Sequence, residues 1–471
     1  MQALNDIVQK LIAGDTAHKG SIYFVGIGGI GMSALARFFN AKGVAVSGYD
    51  RTETVLCKQL VQEGISIHYE DNVALIDKQA AVVVYTPAIP KAHAELNYLL
   101  DNGYLVVKRS DMLGAITHSS FNVCVAGTHG KTTTSTMVAH LLRHSGFGCN
   151  AFLGGISANY QSNFWSSENN VCVVEADEYD RSFLKLSPDM AIITSMDPDH
   201  LDIYGTPDQV EQAFIDFSAR VKDGGLLIPK YGLTRGAELK YSNNCSYAAA
   251  DMQADMHAEN IRIAAGAYCL DVVDNKTGWK LADVVLNMGG LHNVENVIAA
   301  IAVAKHLQIA DDKIKEAVAA FRGVKRRFEY IIAPGENQNG IVQIDDYAHH
   351  PEELRNLIEG ARSLFAGRKC TVIFQPHLFS RTRDFADGFA AVLSMADELI
   401  LLPIYPAREL PMEGVTSEMI ANLVVDGKVK VLSKEAMLAW VENNEVDVLI
   451  TAGAGDIDTL VQPICNILKG K

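Results

Sequence analysis

Residues 123–134, VCVAGTHGKTTT, join an apolar run to an amphipathic one through a turn holding two glycines, a lysine and three threonines. Val123–Ala126 reads as a buried strand, and residues 133–145 carry apolar side chains at helical spacing. A strand that turns through glycine into a helix directs backbone N–H groups and the positive end of the helix at an anion. Within Gly127, Thr128, His129, Gly130, Lys131, Thr132 and Thr133, the lysine is placed to neutralise β- and γ-phosphates and the Thr132 hydroxyl to ligate magnesium. The usual phosphate-loop spacing asks for a glycine six residues before the lysine, where this chain has Val125. The loop is therefore a tightened variant that starts at Gly127.

Alternating strand and helix signals fall into three blocks, which predicts an α/β protein. The first has a strand at 21–27, a glycine turn Gly26, Gly28, Gly29, Ile30, Gly31, a helix at 32–42, and a strand at 45–49 ending beside Asp50. That unit fits a dinucleotide fingerprint, with Asp50 on a ribose, and it equally fits any nucleotide diphosphate at a helix N-terminus. The second block opens with the phosphate loop, continues through strands at 171–174 and 190–194, and contains short β-like runs between 224 and 287. The third, from about Tyr330, has strand candidates at 340–344, 371–374, 398–403, 429–432 and 447–451 and reads as an open parallel sheet. Two nucleotide sites in one chain suggest a two-substrate reaction.

Acidic residues at strand ends point to metal chemistry. Glu175 closes the run 171–174 and is the natural second protein ligand of a magnesium shared with Thr132; His200, in DPDHLD, is a candidate for a second ion. Asp177, Glu178 and Asp180 read as a solvated acidic face. His292, Asn293 and Asn296 sit at the start of an alanine-rich helix, where they either cap it or grip a purine. Lys325, Arg326 and Arg327, three cations at a block junction in an acidic protein, read as an anion clamp. The loops Asp345–Pro351 and Gln375–Arg383 follow strands, where open α/β sheets place ligands. The run at 451–456 is explained by tight strand-to-helix packing.

Composition narrows the partners. At 471 residues and a net charge of −15, the chain has length for about three domains and lacks the basic surface of a nucleic-acid binder. Its eight cysteines are dispersed without a C-x-x-C pair, which suits reduced core thiols in a cytoplasmic protein. No apolar run approaches the roughly 18 residues that span a bilayer, and MQALNDIVQKLIAGD has no signal-peptide pattern.

In order, GIGGIGMS, AGTHGKTTT, EADEYD, DPDHLDIYGT, HNVEN, GVKRRFE, DDYAHHP and QPHLFSRTRD closely resemble the motifs of the Mur ligase family, and within it the alanine-adding branch. The resemblance covers nearly the whole chain. It implies a UDP-sugar-binding Rossmann-like domain at 1–114, a central P-loop ATPase domain at 115–328 and a Rossmann-like amino-acid-binding domain at 329–471. It further implies ATP and Mg2+ as co-substrate and cofactor, UDP-N-acetylmuramate and L-alanine as substrates, peptidoglycan precursor synthesis, and a monomer or homodimer.

By this resemblance Lys131, Glu175, His200, Arg327, Asp346 and His349 form the catalytic set, and Thr132, Glu175 and His200 hold magnesium. His292, Asn293 and Asn296 face adenine, while Arg327 and Asp346 complete the ATP site. Gly26, Gly28, Gly29, Ile30, Gly31, Met32, Asp50 and Arg109 face the UDP-sugar, and Tyr347, His349, His377 and Arg381 the incoming alanine. Relatives often carry arginine where Leu378 stands, which shifts carboxylate recognition toward Arg381. No lysine lies between His200 and Lys222, in keeping with a branch that lacks the carbamylated lysine of other members. Other readings are a murein peptide ligase adding a recycled tripeptide, a nicotinamide-dependent oxidoreductase, and a nucleotide-gated module that hydrolyses ATP without ligation.

Overall fold

The computed structural model describes residues 2–13, 20–264, 266–407, 409–425 and 429–471, with the side chain of Asp202 left undescribed. The last two residues of the amphipathic N-terminal stretch thus lie outside the described residues; Gln2–Ile12 is a helix burying Leu4, Val8 and Leu11.

The first sheet has five parallel strands in the order Ser66–His68, Val46–Tyr49, Ser21–Val25, Ala80–Tyr85, Val106–Lys108. Every side chain of SIYFV is buried, as expected of a strand covered on both faces. The order reverses beside Ser21–Val25, which puts the following glycine turn at the sheet's switch point. The helix after it, Ile30–Ala41, starts two residues earlier than its apolar spacing predicts, with Gly29 as N-cap and no capping side chain.

The central sheet has seven strands in the order Asn243–Asn244, Leu226–Pro229, Met190–Ile193, Phe121–Ala126, Val171–Glu175, Asn150–Ser157, Ser162–Trp165. All pairs are parallel except the hairpin formed by the last two. The β-like runs beyond it form a separate four-stranded sheet, Tyr247–Ala248, Met256–Ala264, Ala267–Asp274 and Trp279–Leu286, whose three long strands are antiparallel.

The third sheet departs from the expected all-parallel form. Its order is Glu329–Ile332, Val342–Asp346, Val448–Ala452, Cys370–Phe374, Glu398–Leu401, Val429–Val431, and the first of these runs antiparallel to its neighbour. The two are joined by too few residues for the crossover that a parallel pair needs.

Aromatic packing joins the first block to the central one. Phe38, on the first glycine turn's helix, packs its ring 5.2 Å from Phe152 and 6.2 Å from Phe164 of the central hairpin. Beside it the buried Arg37 donates to Glu63 and, at 2.7 Å, to Asn163 Oδ1. Across the other junction, the helix Pro351–Leu364 lies so near the central region that a Cβ on Gly360 would stand 3.1 Å from the Gly290 nitrogen. No helix among the described residues is long and apolar enough to cross a membrane, and all eight cysteines are unpaired.

Candidate active site

Phe121–Ala126 lies between Met190–Ile193 and Val171–Glu175, so loops from three adjacent parallel strands converge at their carboxyl ends. Gly127 (φ 138°) passes so close to the next strand that a Cβ would overlap Thr194 Oγ1 and stand 2.8 Å from the Ser195 nitrogen. Gly130 (φ 80°) caps the helix Lys131–His144 in the left-handed region. Ser195 Oγ accepts from the His129 N–H at 2.8 Å, which fixes the loop and leaves the exposed His129 ring outside it.

Lys131 folds back on its own loop. Its Nζ donates to the Gly127 carbonyl at 2.6 Å and to Glu178 Oε1 at 2.8 Å, with Glu178 Oε2 also 2.8 Å away but without hydrogen-bond geometry. Thr132 Oγ1 donates to Glu175 Oε1 at 3.0 Å, and Glu175 Oε2 accepts from the Gly154 N–H at 3.0 Å. Burial raises the Glu175 pKa, opposed chiefly by the charge of Lys131. Adjacent corners of an octahedron with bonds of about 2.0–2.1 Å lie about 2.9 Å apart, so Thr132 and Glu175 fit neighbouring ligands of magnesium. Among the described residues no three His, Cys, Asp or Glu side chains form a closed cage.

His200, left-handed at φ 53°, caps the short helix Leu201–Tyr204 and points Nε2 to within 3.8 Å of Glu178 Oε1. Glu178 therefore does not belong to a solvated face: it is 1% exposed and stands between Lys131 and His200. Asp180 is exposed, as expected. Gly154 was not singled out by any sequence signal, yet a Cβ there would overlap the Glu175 carboxylate. Its position in an antiparallel hairpin, away from any strand-to-helix turn, hid it.

The asparagines expected near adenine are buried and hydrogen-bonded. Thr134 Oγ1 donates to Asn296 Oδ1 at 3.0 Å, Asn296 Nδ2 to Asn293 Oδ1 at 3.1 Å, and Asn293 Nδ2 to the Gly289 carbonyl at 2.7 Å. This relay pins the helix Leu291–His306 to the phosphate-loop helix. Thr133 is buried on the first turn of the phosphate-loop helix, and His292 is exposed.

The three-cation run is divided. Arg326 (φ 59°) donates Nε to the buried Asp345 at 3.1 Å and an Nη to the Gly453 carbonyl, so it ties the junction together and is not part of an anion clamp. Lys325 and Arg327 are exposed, and the Arg327 charge reaches both Glu175 and Asp346. The junction runs along the central hairpin, with Lys325 N–H donating to Ile156 O at 2.8 Å, which brings Arg327 to the phosphate site. Asp346 accepts from the Phe328 and Ala348 N–H groups, each at 2.7 Å, and burial pushes its pKa up to about 7.

The third-domain loops assemble a second cluster. Arg381 Nη1 lies 3.2 Å from His377 Nδ1, the His349 and His377 rings are 6.2 Å apart, and Tyr347 packs 5.2 Å from His349. Burial, then the charges of Arg381 and His349, lower the His377 pKa. Tyr405, stacked on His377 at 5.8 Å, was not foreseen because it comes from a different loop. Leu378 adopts φ 69°, and Arg383 is paired with Asp384 at 2.8 Å.

At the first glycine turn, Asp50 Oδ2 accepts from the Gly28 N–H at 2.8 Å and Oδ1 from Thr52 N–H at 3.1 Å. Oδ2 thus braces the glycine turn and Oδ1 the Asp50–Thr52 segment. Gly26 (φ 89°) and Gly29 shape the turn, Ile30 is exposed at its rim, and Met32 is buried beneath it. Arg109 reaches across, its Nη1 2.9 Å from where a Cβ on Gly31 would lie.

Residues 21–120 match the Mur ligase family catalytic domain, 125–304 the Mur ligase middle domain, and 326–455 the Mur ligase glutamate ligase domain. The chain belongs to the Mur ligase family. It is 46% identical to the UDP-N-acetylmuramate–L-alanine ligase of Flavobacterium johnsoniae over 95% of this chain and 98% of that one. It is 47% identical to the ligase of the same name from Porphyromonas gingivalis over 95% and 99%. The crystal structure of UDP-N-acetylmuramate-alanine ligase from Thermotoga maritima superposes with a TM-score of 0.78 at 29% identity, covering 96% of this chain and 99% of that one. A murein peptide ligase from Psychrobacter arcticus superposes with a TM-score of 0.63 at 25% identity over 96% and 99%. In this Mur ligase, then, the phosphate loop belongs to the middle domain, the first glycine turn to the catalytic-domain match, and the His377–Arg381 cluster to the glutamate-ligase-domain match.

Proposed function

We propose that this Mur ligase joins L-alanine to the carboxylate of UDP-N-acetylmuramate, with ATP converted to ADP and phosphate. The observation that carries the reading is near full-length likeness, at 43–48% identity, to relatives named for that reaction. The first glycine turn, with Arg109, binds the UDP-sugar, and Lys131 with the 127–133 loop binds the ATP phosphates. The sugar-linked carboxylate attacks the γ-phosphate, and Lys131 stabilises charge that grows on the transferring group. Thr132, Glu175 and His200 hold magnesium, which supplies further charge neutralisation when bound. Arg327 brings a second cation from the junction.

The alanine amine then attacks the acyl phosphate, and phosphate leaves from the tetrahedral intermediate. Arg381 takes the alanine carboxylate, with Tyr347, His349 and His377 around it, and His349 or His200 accepts the amine proton. Adenine lies beside His292, over the helix start that Asn293 and Asn296 hold in place. We assign the domains to 1–114, 115–328 and 329–471, and place the enzyme in the cytoplasm as a monomer or homodimer. The murein peptide ligase reading is less supported, because that neighbour superposes with the lower TM-score.

The test is phosphate release from ATP with UDP-N-acetylmuramate present and the amine varied. Release that requires L-alanine and does not occur with L-alanyl-γ-D-glutamyl-meso-diaminopimelate supports the reading, and the reverse preference overturns it.

A further inference from the structure

Glu178 is the one buried carboxylate at the phosphate loop that the reaction above does not use. It is 1% exposed, its partner Lys131 15%, and its Oε2 lies 2.8 Å from the ammonium but has no hydrogen-bond partner. A triphosphate in the loop needs that same ammonium. Glu178 and ATP therefore compete for one cation, and a carboxylate facing an unneutralised γ-phosphate at this range would be strongly repelled.

The backbone around Glu178 is held firmly. Its carbonyl accepts from Tyr204 Oη at 2.6 Å and from the Arg181 N–H at 2.9 Å, and Asp180 and Arg181 follow in left-handed conformations with φ 53° and 55°. From there the segment 177–185 reaches the first domain through three ion pairs. Asp177 lies 3.6 Å from Arg109, Asp180 3.4 Å from Lys108, and Lys185 2.5 Å from Asp111, with Lys185 also donating to Ser110 at 3.1 Å. Their first-domain partners are consecutive, Lys108 to Asp111, and include the arginine that stands over the first glycine turn. The segment therefore touches both nucleotide sites.

We propose that Glu178 is a latch which holds Lys131 away from the phosphate position, and that the segment 177–185 ties release of this latch to occupancy of the first-domain site. The proposal rests on the assignment of the two nucleotide sites above. A ligand whose competent state is only partly populated binds with apparent affinity reduced by that fraction, so weakening the latch tightens ATP binding, and a UDP-sugar that loosens it does the same. Glu178 acts through Lys131 and is a positioning residue.

The test is calorimetric titration of magnesium AMP-PNP into the full chain, with and without UDP-N-acetylmuramate, which needs no turnover and no alanine. Glu178→Gln, isosteric but uncharged, is expected to bind AMP-PNP about tenfold more tightly than the unaltered protein in the absence of the sugar, within the usual span of such couplings. Lys185→Ala is expected to bind AMP-PNP alone unchanged, but to lose most of the tightening that the sugar produces in the unaltered protein. Equal or weaker binding by Glu178→Gln would overturn the latch and make Glu178 a ligand for the bound metal nucleotide. An undiminished sugar effect in Lys185→Ala, or none in the unaltered protein, would overturn the tie, and the second arm stands even if Glu178→Gln does not fold. Absence of AMP-PNP binding in the unaltered protein would instead remove the phosphate-loop assignment beneath it, while loss of alanine-dependent turnover alone would leave the latch intact.

Discussion

The two glycine turns begin alike and end differently. Each follows a buried parallel strand and opens a helix whose N-cap is glycine, Gly29 in one and Gly130 in the other. In the first, a carboxylate, Asp50, closes on the Gly28 N–H, and the cation comes from Arg109 far along the chain. In the second, the cation is Lys131 inside the turn, and the carboxylates Glu175 and Glu178 come from a neighbouring strand end. The same local backbone thus receives opposite charge arrangements. A turn braced by its own carboxylate is built to be rigid and to meet a separate cation, whereas a turn with its own lysine and oxygen ligands beside it is suited to a metal-bound triphosphate.

The largest expected consequence of that difference lies at Lys131. Lys131→Ala removes charge from the transferring phosphoryl group and should lower turnover about a thousandfold, by analogy with the loss of a preorganised oxyanion donor. The kcat/KM for ATP, from phosphate release with the other two substrates saturating, measures it. Near-normal turnover in a folded variant would erase the distinction between the turns.

Gly154→Ala comes next. The added methyl would overlap the Glu175 carboxylate and also stands where Gly154 donates its N–H. A displaced metal-site carboxylate typically costs about 10- to 100-fold in metal affinity, so the magnesium concentration for half-maximal rate should rise by that order. UDP-sugar binding should not move. An unchanged magnesium titration would separate Glu175 from the metal.

Much of this arrangement was legible in the amino-acid sequence, and the limits are physical. Strand-to-helix turns are local, so both glycine turns and the strands carrying them could be placed within a residue or two. Loops at strand ends could be named as sites because open sheets bind there. What could not be read was which charges meet. EADEYD contains four acids in six residues, yet only the fold decides that Glu178 faces inward while Asp180 stays exposed. Arg326 and Arg327 are neighbours in sequence, but a left-handed backbone at Arg326 turns one into a brace against Asp345 and leaves the other exposed. The Asn293–Asn296 relay ends on Thr134, a partner 162 residues from Asn296 in sequence. Periodicity is silent on such pairs.

A change outside both turns should leave both unaffected. Arg381→Lys keeps the charge but loses the planar fork that matches a carboxylate, so the KM for alanine should rise about tenfold while those for ATP and UDP-N-acetylmuramate hold. Kinetics with each substrate varied in turn measure it; equal rises in all three would place Arg381 in the shared framework. The smallest effect is expected for Asp50→Asn, where a charge-assisted bond to Gly28 becomes a neutral one. That difference is about 1 kcal/mol, or roughly a fivefold loss of UDP-sugar affinity, with AMP-PNP affinity unchanged.

The division of labour between the turns is tested most directly by measuring both nucleotides on two variants. A Cβ on Gly28 would overlap Cys57 Sγ and stand 2.9 Å from Asp50 Oδ2, so Gly28→Ala should distort the first turn alone. In calorimetric titrations, Gly28→Ala should lose UDP-N-acetylmuramate binding and keep magnesium AMP-PNP, while Lys131→Ala should lose AMP-PNP and keep the UDP-sugar. Loss of the same ligand in both variants, or of neither ligand in either, would contradict the assignment of two nucleotides to two turns.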